Sequence, residues 1–172
     1  MHKGFVQVYT GNGKGKTTAA IGLAVRAAGA GLRVYFAQFI KQQKCSEHTA
    51  LERFRDLIEV KQFGAGLIIG RKPSEEDRRI AREGYDEIGR VLRAQAYDMV
   101  ILDEVNIAVH QGLISVDELL SLIKNRPEGL EMVLTGRYAD QKIMDAADLV
   151  TEMREIRHYH QQGVEARRGI EK

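Results

Sequence analysis

The run Thr10-Gly11-Asn12-Gly13-Lys14-Gly15-Lys16-Thr17-Thr18 constrains this chain more than any other segment. It follows the β-branched and aromatic stretch Phe5-Val6-Gln7-Val8-Tyr9 and opens an Ala-rich helical pattern. Glycines at alternate positions let the backbone curl and turn successive N–H groups inward, making a concavity for an anion. The start of the following helix adds unpaired amides and the positive end of a dipole. In that setting Lys16 supplies a mobile ammonium for phosphates and Thr17 a hydroxyl for a magnesium ion. The fit to Gly-x-x-x-x-Gly-Lys-Thr is incomplete, because Thr10 stands where the first glycine belongs. A strand before, a helix after and the Gly-Lys-Thr-Thr ending distinguish a phosphate loop from a glycine turn that merely caps a helix.

The rest of the chain alternates in the same way. Strand patterns occupy 5–10, 33–40, 58–63, 99–103, 131–135 and 149–154, and helical patterns 16–30, 47–56, 74–95, 115–125 and 140–146. Strands separated by helices need crossovers, so the expected fold class is α/β: a mostly parallel sheet with helices on both faces. Met99-Val100-Ile101-Leu102 has no polar alternation and suits a strand covered on both sides. Ser115 with Glu118 makes a capping-box pattern, and Ser74 opens the acidic turn Glu75-Glu76-Asp77. The spacings Glu75/Arg79 and Asp86/Arg90 predict ion pairs on a solvated helix face. By composition, the polar tail after Glu155 is a loose end.

A second cluster of candidate residues closes the apolar strand. Asp103 and Glu104 fall at the C-terminal edge of a parallel sheet, which is where such folds hold their ligands. In phosphoryl-transfer proteins an acid there holds magnesium, and a neighbouring Glu positions an attacking water. Composition narrows the field further. At 172 residues the chain fits one domain spanning 1–172. A net charge of +2 and 6% aromatic residues leave little for a nucleic-acid surface. The one cysteine, Cys45, excludes an internal disulfide framework and fits a reducing compartment. No apolar run is long enough for a membrane helix, and Met1-His2-Lys3 does not open a signal peptide. A cytoplasmic protein is expected.

Beyond the loop, five segments carry a more specific likeness. Thr10 to Gly22, Gln38-Phe39-Ile40-Lys41, Leu102-Asp103-Glu104, Leu134-Thr135-Gly136-Arg137 and Ala147-Asp148-Leu149-Val150-Thr151-Glu152-Met153-Arg154 resemble the P-loop class of ATP:corrinoid adenosyltransferases. The tail joins them through His158, Gly163, Ala166 and Gly169-Ile170-Glu171, so the resemblance implies an ordered tail, against its composition. It also implies a RecA-like P-loop fold and a defined chemistry. Cobalt(I) of a reduced corrinoid attacks the 5′-carbon of ATP, giving a cobalt–carbon bond and inorganic triphosphate. The loop residues Gly11, Asn12, Gly13, Lys14, Gly15, Lys16, Thr17 and Thr18 then hold a leaving group. Lys16, Glu104 and Arg137 are the implied catalytic residues. Thr17 and Glu104 are the implied ligands of a magnesium or manganese ion, with Asp103 a competing or supporting one. Arg26 and Lys41 match family positions, and Arg26 has a route to the phosphates from the loop helix. A separate flavoprotein reductant and a homodimer are implied partners.

Three departures stand out. Many relatives carry an N-terminal extension, and none precedes the first strand of this sequence. After Thr135-Gly136-Arg137 relatives often have Gly, where this chain has Tyr138. Leu67 and Ile69 occupy positions where the enteric type has aromatics that help displace the lower corrinoid ligand, and they are expected to form an apolar corrinoid-facing wall on a mobile loop. His158 and His160 share a strand face but lack a third metal ligand nearby. Two other functions compete: a P-loop ATPase or kinase in which Glu104 positions a water or hydroxyl, and a recombinase-like module that uses ATP to grip nucleic acid. The second needs a basic stripe with interleaved aromatics, which this composition does not offer.

Overall fold

The computed structural model describes residues 3–43, 45–66 and 71–171. The chain order is β1 (Val6–Thr10), α1 (Lys16–Gly29), β2 (Val34–Phe39), α2 (Ser46–Leu51), a 3-10 turn at Glu52–Phe54 and β3 (Ile58–Phe63). There follow α3 (Glu75–Ala94), β4 (Met99–Asp103), α4 (Val105–His110), α5 (Val116–Lys124), β5 (Glu131–Thr135), α6 (Gln141–Asp145), β6 (Leu149–Glu152) and a second 3-10 turn at Tyr159–Gln162. The six strands form one parallel sheet in the order β3-β2-β4-β5-β1-β6. This is the α/β architecture that the alternation predicts.

Alternate residues of the central strands feed two cores. Val8, Tyr35, Ala37, Val100, Leu102, Met132 and Leu134 pack with Ala81 and Ile88 of α3 and Leu119 of α5. Val34, Phe36, Met99, Ile101 and Val133 face Ala20, Ala24, Ala27 and Ala28 of α1. Alanine on the buried stripe of α1 lets that helix lie close to the sheet, which fixes the loop ahead of it. Each fully buried Leu, Ile or Val contributes about 1.5–3 kcal/mol relative to exposure, so both cores anchor the central strands firmly.

The helix ends follow local chemistry. Ser115 Oγ accepts from the Glu118 N–H at 3.2 Å, and Glu118 accepts from the Ser115 N–H at 2.8 Å. Ser74 and Asp77 make the same reciprocal pair at α3, where Asp77 also receives both guanidinium nitrogens of Arg71, at 2.5 and 3.0 Å. On the solvated face of α3 two partners fall one residue beyond the expected ones, Arg79 pairing with Glu76 and Arg90 with Glu87, and Arg79 also pairs with Glu83 one turn on. Helix α4 was not expected. It is six residues long and starts straight after the strand, at Glu104 with φ +59°, so it has neither a capping side chain nor room for a periodic pattern.

Candidate nucleotide site

The loop between β1 and α1 is shaped by close backbone contact. Gly13 donates its N–H to the Met153 carbonyl at 2.7 Å, and a Cβ at Gly13 would come within 2.8 Å of that same oxygen. Gly15 caps α1 with φ +117°, a conformation that side-chain-bearing residues rarely adopt. Lys16 is buried at 8% exposure, with Nζ 2.7 Å from each of the Gly11 and Gly13 carbonyls. Burial pushes its ammonium down from the ordinary lysine range, Glu104 opposes that shift, Arg137 adds to it and Asp103 opposes it. Lys14 reaches the other way, donating to the Ile170 carbonyl at 3.0 Å. The tail is therefore built into the site, as the family likeness implies and its composition does not.

Strand register builds the second half. Gln38 of β2 lies level with Asp103 of β4, and Thr135 closes β5 beside it. Asp103 is fully buried among donors. Thr17 Oγ1 donates to its Oδ1 at 2.9 Å and Thr135 Oγ1 at 2.6 Å, while Gln38 Nε2 donates to Oδ2 at 2.9 Å. Gln38 Oε1 lies 3.0 Å from His48 Nε2 and accepts from Gln62 Nε2 at 3.1 Å. His48 Nδ1 accepts the Cys45 N–H at 2.8 Å. Cys45, Glu47 and His48 form the one metal-capable cluster among the described residues, but both ring nitrogens of His48 are engaged in these contacts.

Glu104 differs from its neighbour. Its N–H donates to Thr135 Oγ1 at 3.0 Å, and its side chain turns into a cavity of about 930 Å³. Burial raises its carboxyl above the usual range, Asp103 adds to the rise, and Lys41, Lys16 and Arg137 oppose it. The cavity collects Gly13, Lys14, Gly15, Lys16, Thr17, Thr18, Lys41, Glu104 and Arg137 from the sequence candidates. Gly11 and Asn12 are outside its lining, and Asp103 lies beneath it, behind Thr17. Arg26 is not brought to the site: it is exposed in the last turn of α1, about 15 Å along the axis from Lys16 at 1.5 Å per residue. Leu67 and Ile69 lie outside the described residues.

Several lining residues were not among the sequence candidates. Ile21, Ile40 and Ile107 give the cavity apolar walls, and His110 and Tyr138 add stacked rings. The only advance signal for Tyr138 was its place after Arg137. His158 also lines the cavity, and its Nδ1 accepts the His160 N–H at 3.0 Å.

A glycine loop at a helix start, an ammonium within it, and a hydroxyl tied to a strand-end carboxylate define an α/β nucleotide-binding protein of the P-loop type. The chain belongs to the ATP:corrinoid adenosyltransferase BtuR/CobO/CobP family, whose sequence model matches residues 2–171. It is 34% identical to the corrinoid adenosyltransferase of Pseudomonas aeruginosa over 170 residues, 98% of this chain and 84% of the relative. Identity to the corrinoid adenosyltransferase of Escherichia coli K12 is 35%, over 98% of this chain and 86% of the relative. The corrinoid adenosyltransferase CobA of Salmonella typhimurium gives the same figures.

Proposed function

We propose that this chain, as one domain over residues 1–172, transfers the adenosyl group of ATP to a reduced corrinoid. One observation carries the reading within the family. Lys16, Lys41 and Arg137 line the same cavity as the apolar side chains of Ile21, Ile40 and Ile107, so a polyanion and the apolar face of an acceptor can meet at one place. Cobalt(I) in the corrinoid substrate is itself the nucleophile. A cobalt–carbon bond forms at C5′ as the C5′–oxygen bond breaks, and triphosphate leaves with the electron pair. The protein then needs no general base; it orients the 5′-carbon and neutralises charge on the leaving group.

Lys16, the loop amides and Arg137 take that charge. The hydroxyl of Thr17 and the carboxylate of Glu104 are hard oxygen donors on the same cavity, a set that suits magnesium or manganese. Such an ion would add positive charge against the triphosphate. Asp103, with both oxygens already accepting hydrogen bonds, supports Thr17 rather than reaching the ligand. Lys14, Gly15 and Thr18 complete the phosphate cradle. A flavoprotein reductant and a homodimeric working unit belong to the same proposal and rest on the family likeness. The cytoplasm is its compartment, in keeping with Cys45 as a free thiol.

The phosphate product tests this. Incubation with ATP, magnesium and chemically reduced corrinoid in the dark should release intact triphosphate in step with a light-sensitive alkyl-cobalt product. ADP plus phosphate as the main corrinoid-dependent products would instead make the protein an ATPase or kinase.

A further inference from the structure

Tyr138 stands on a turn whose backbone suits another residue. Its φ is +61°, in the left-handed region that glycine adopts freely and a bulky side chain does not. The turn is held from three directions. Gly136 donates its N–H to the Tyr9 carbonyl at 3.1 Å, the Asn106 amide donates to the Gly136 carbonyl at 3.5 Å, and the Ala139 N–H donates to Thr10 Oγ1 at 3.3 Å. Strain of this kind persists where the surroundings fix it, and it concentrates at ligand sites. Here the imposed conformation sets an aromatic ring on the wall of the nucleotide cavity, directly after Arg137.

That ring is backed on one side. His110, at the end of α4, stacks on Tyr138 with ring centroids 4.3 Å apart and planes 31° from parallel. Tyr138 nevertheless remains 53% exposed, so a face is left for a second flat partner. We propose that Tyr138, backed by His110, is the stacking platform for the purine base of the nucleotide and sets its base preference. This rests on the reading of the cavity as an ATP site. Of the two substrates, a purine is bare on both faces, whereas a corrin ring carries projecting methyl and amide arms that keep a flat ring away. With Arg137 and Tyr138 adjacent on one rigid turn, the phosphate end and the base end of one ligand are gauged by the same backbone.

The test is binding without corrinoid, so it does not depend on whether adenosyl transfer occurs. Dissociation constants for ATP, CTP and inorganic triphosphate are measured for the wild type, Tyr138→Gly, Tyr138→Phe and His110→Ala. Tyr138→Gly suits the local backbone and should weaken ATP by about 5- to 160-fold, the span that base–aromatic stacking covers on truncation, with triphosphate unchanged. The preference for ATP over CTP should shrink with it. Tyr138→Phe keeps the ring and should match the wild type, and His110→Ala should lose part of the effect. Equal weakening of ATP and triphosphate, or no weakening of ATP, would overturn the proposal. In a separate corrinoid titration, loss of corrinoid binding by Tyr138→Gly with ATP affinity intact would also overturn it, by giving the ring to the other substrate.

Discussion

Asp103 and Glu104 are adjacent, yet their surroundings give them opposite tasks. Three donors converge on Asp103, which is locked, whereas Glu104 is only partly satisfied and faces the cavity beside a like charge. Its raised pKa has a sign that stability can read. A carboxyl whose folded pKa lies above its unfolded one contributes stability below the unfolded pKa and loses it as pH rises through the folded value. Glu104→Gln, neutral at every pH, should therefore raise Tm over the ligand-free wild type near neutrality, and the gain should vanish in acid. The same variant should need more magnesium for ATP binding. A Tm difference that does not change with pH would mean that Glu104 is not the titrating group. Legibility at this scale was uneven. Lys16 and Thr17 were readable because their chemistry depends on sequence-local spacing. The Gln38–Asp103–Thr135 rung depends on which strands are neighbours, which spacing within one strand does not encode. Arg26 is set by the rise of a helix, which carries it ten residues along α1 from Lys16.

Among the elements, β3, β4 and β5 match their expected bounds, because turn signals enclose short apolar or β-branched runs. Helix α4 escaped since its pattern is a single turn and a half, and the α3 ion pairs shifted by one because long side chains choose among several neighbours. Helix α1 carries the functional load through its small residues. Ala24 is fully buried against the sheet, in a cluster with Phe36, Ile101 and Val133. Ala24→Leu should cost about 1–3 kcal/mol by overpacking, and should weaken ATP binding by tilting the loop. Val25→Leu, at a position 38% exposed on the same helix, should stay within about 0.5 kcal/mol of the wild type in denaturant melts. Comparable losses in both variants would show that α1 does not depend on close approach.

Across the molecule, the cavity walls follow the C-terminal ends of β1, β2, β4 and β5. Beyond β6 the tail adds His158 and Gly169-Ile170-Glu171 to the lining, while most of its surface stays exposed. Saturating ATP at about a hundred times its dissociation constant should add roughly 2.7 kcal/mol of stability, read as a rise in Tm. Amide exchange across residues 158–171 should slow at the same time. A Tm rise with unchanged tail exchange would remove the tail from the binding site. The strand order also has a consequence for biosynthesis. Within this sheet β1 is made first, yet it pairs only with β5 and β6, the two made last. On a ribosome adding about 5–20 residues per second, roughly 6–25 s separate the end of β1 from the end of β5. Throughout that interval an apolar strand and the glycine loop behind it wait without their partners. Nucleotide capture is thus a late event in the assembly of this sheet, and chaperone demand should concentrate on β1 and the loop behind it.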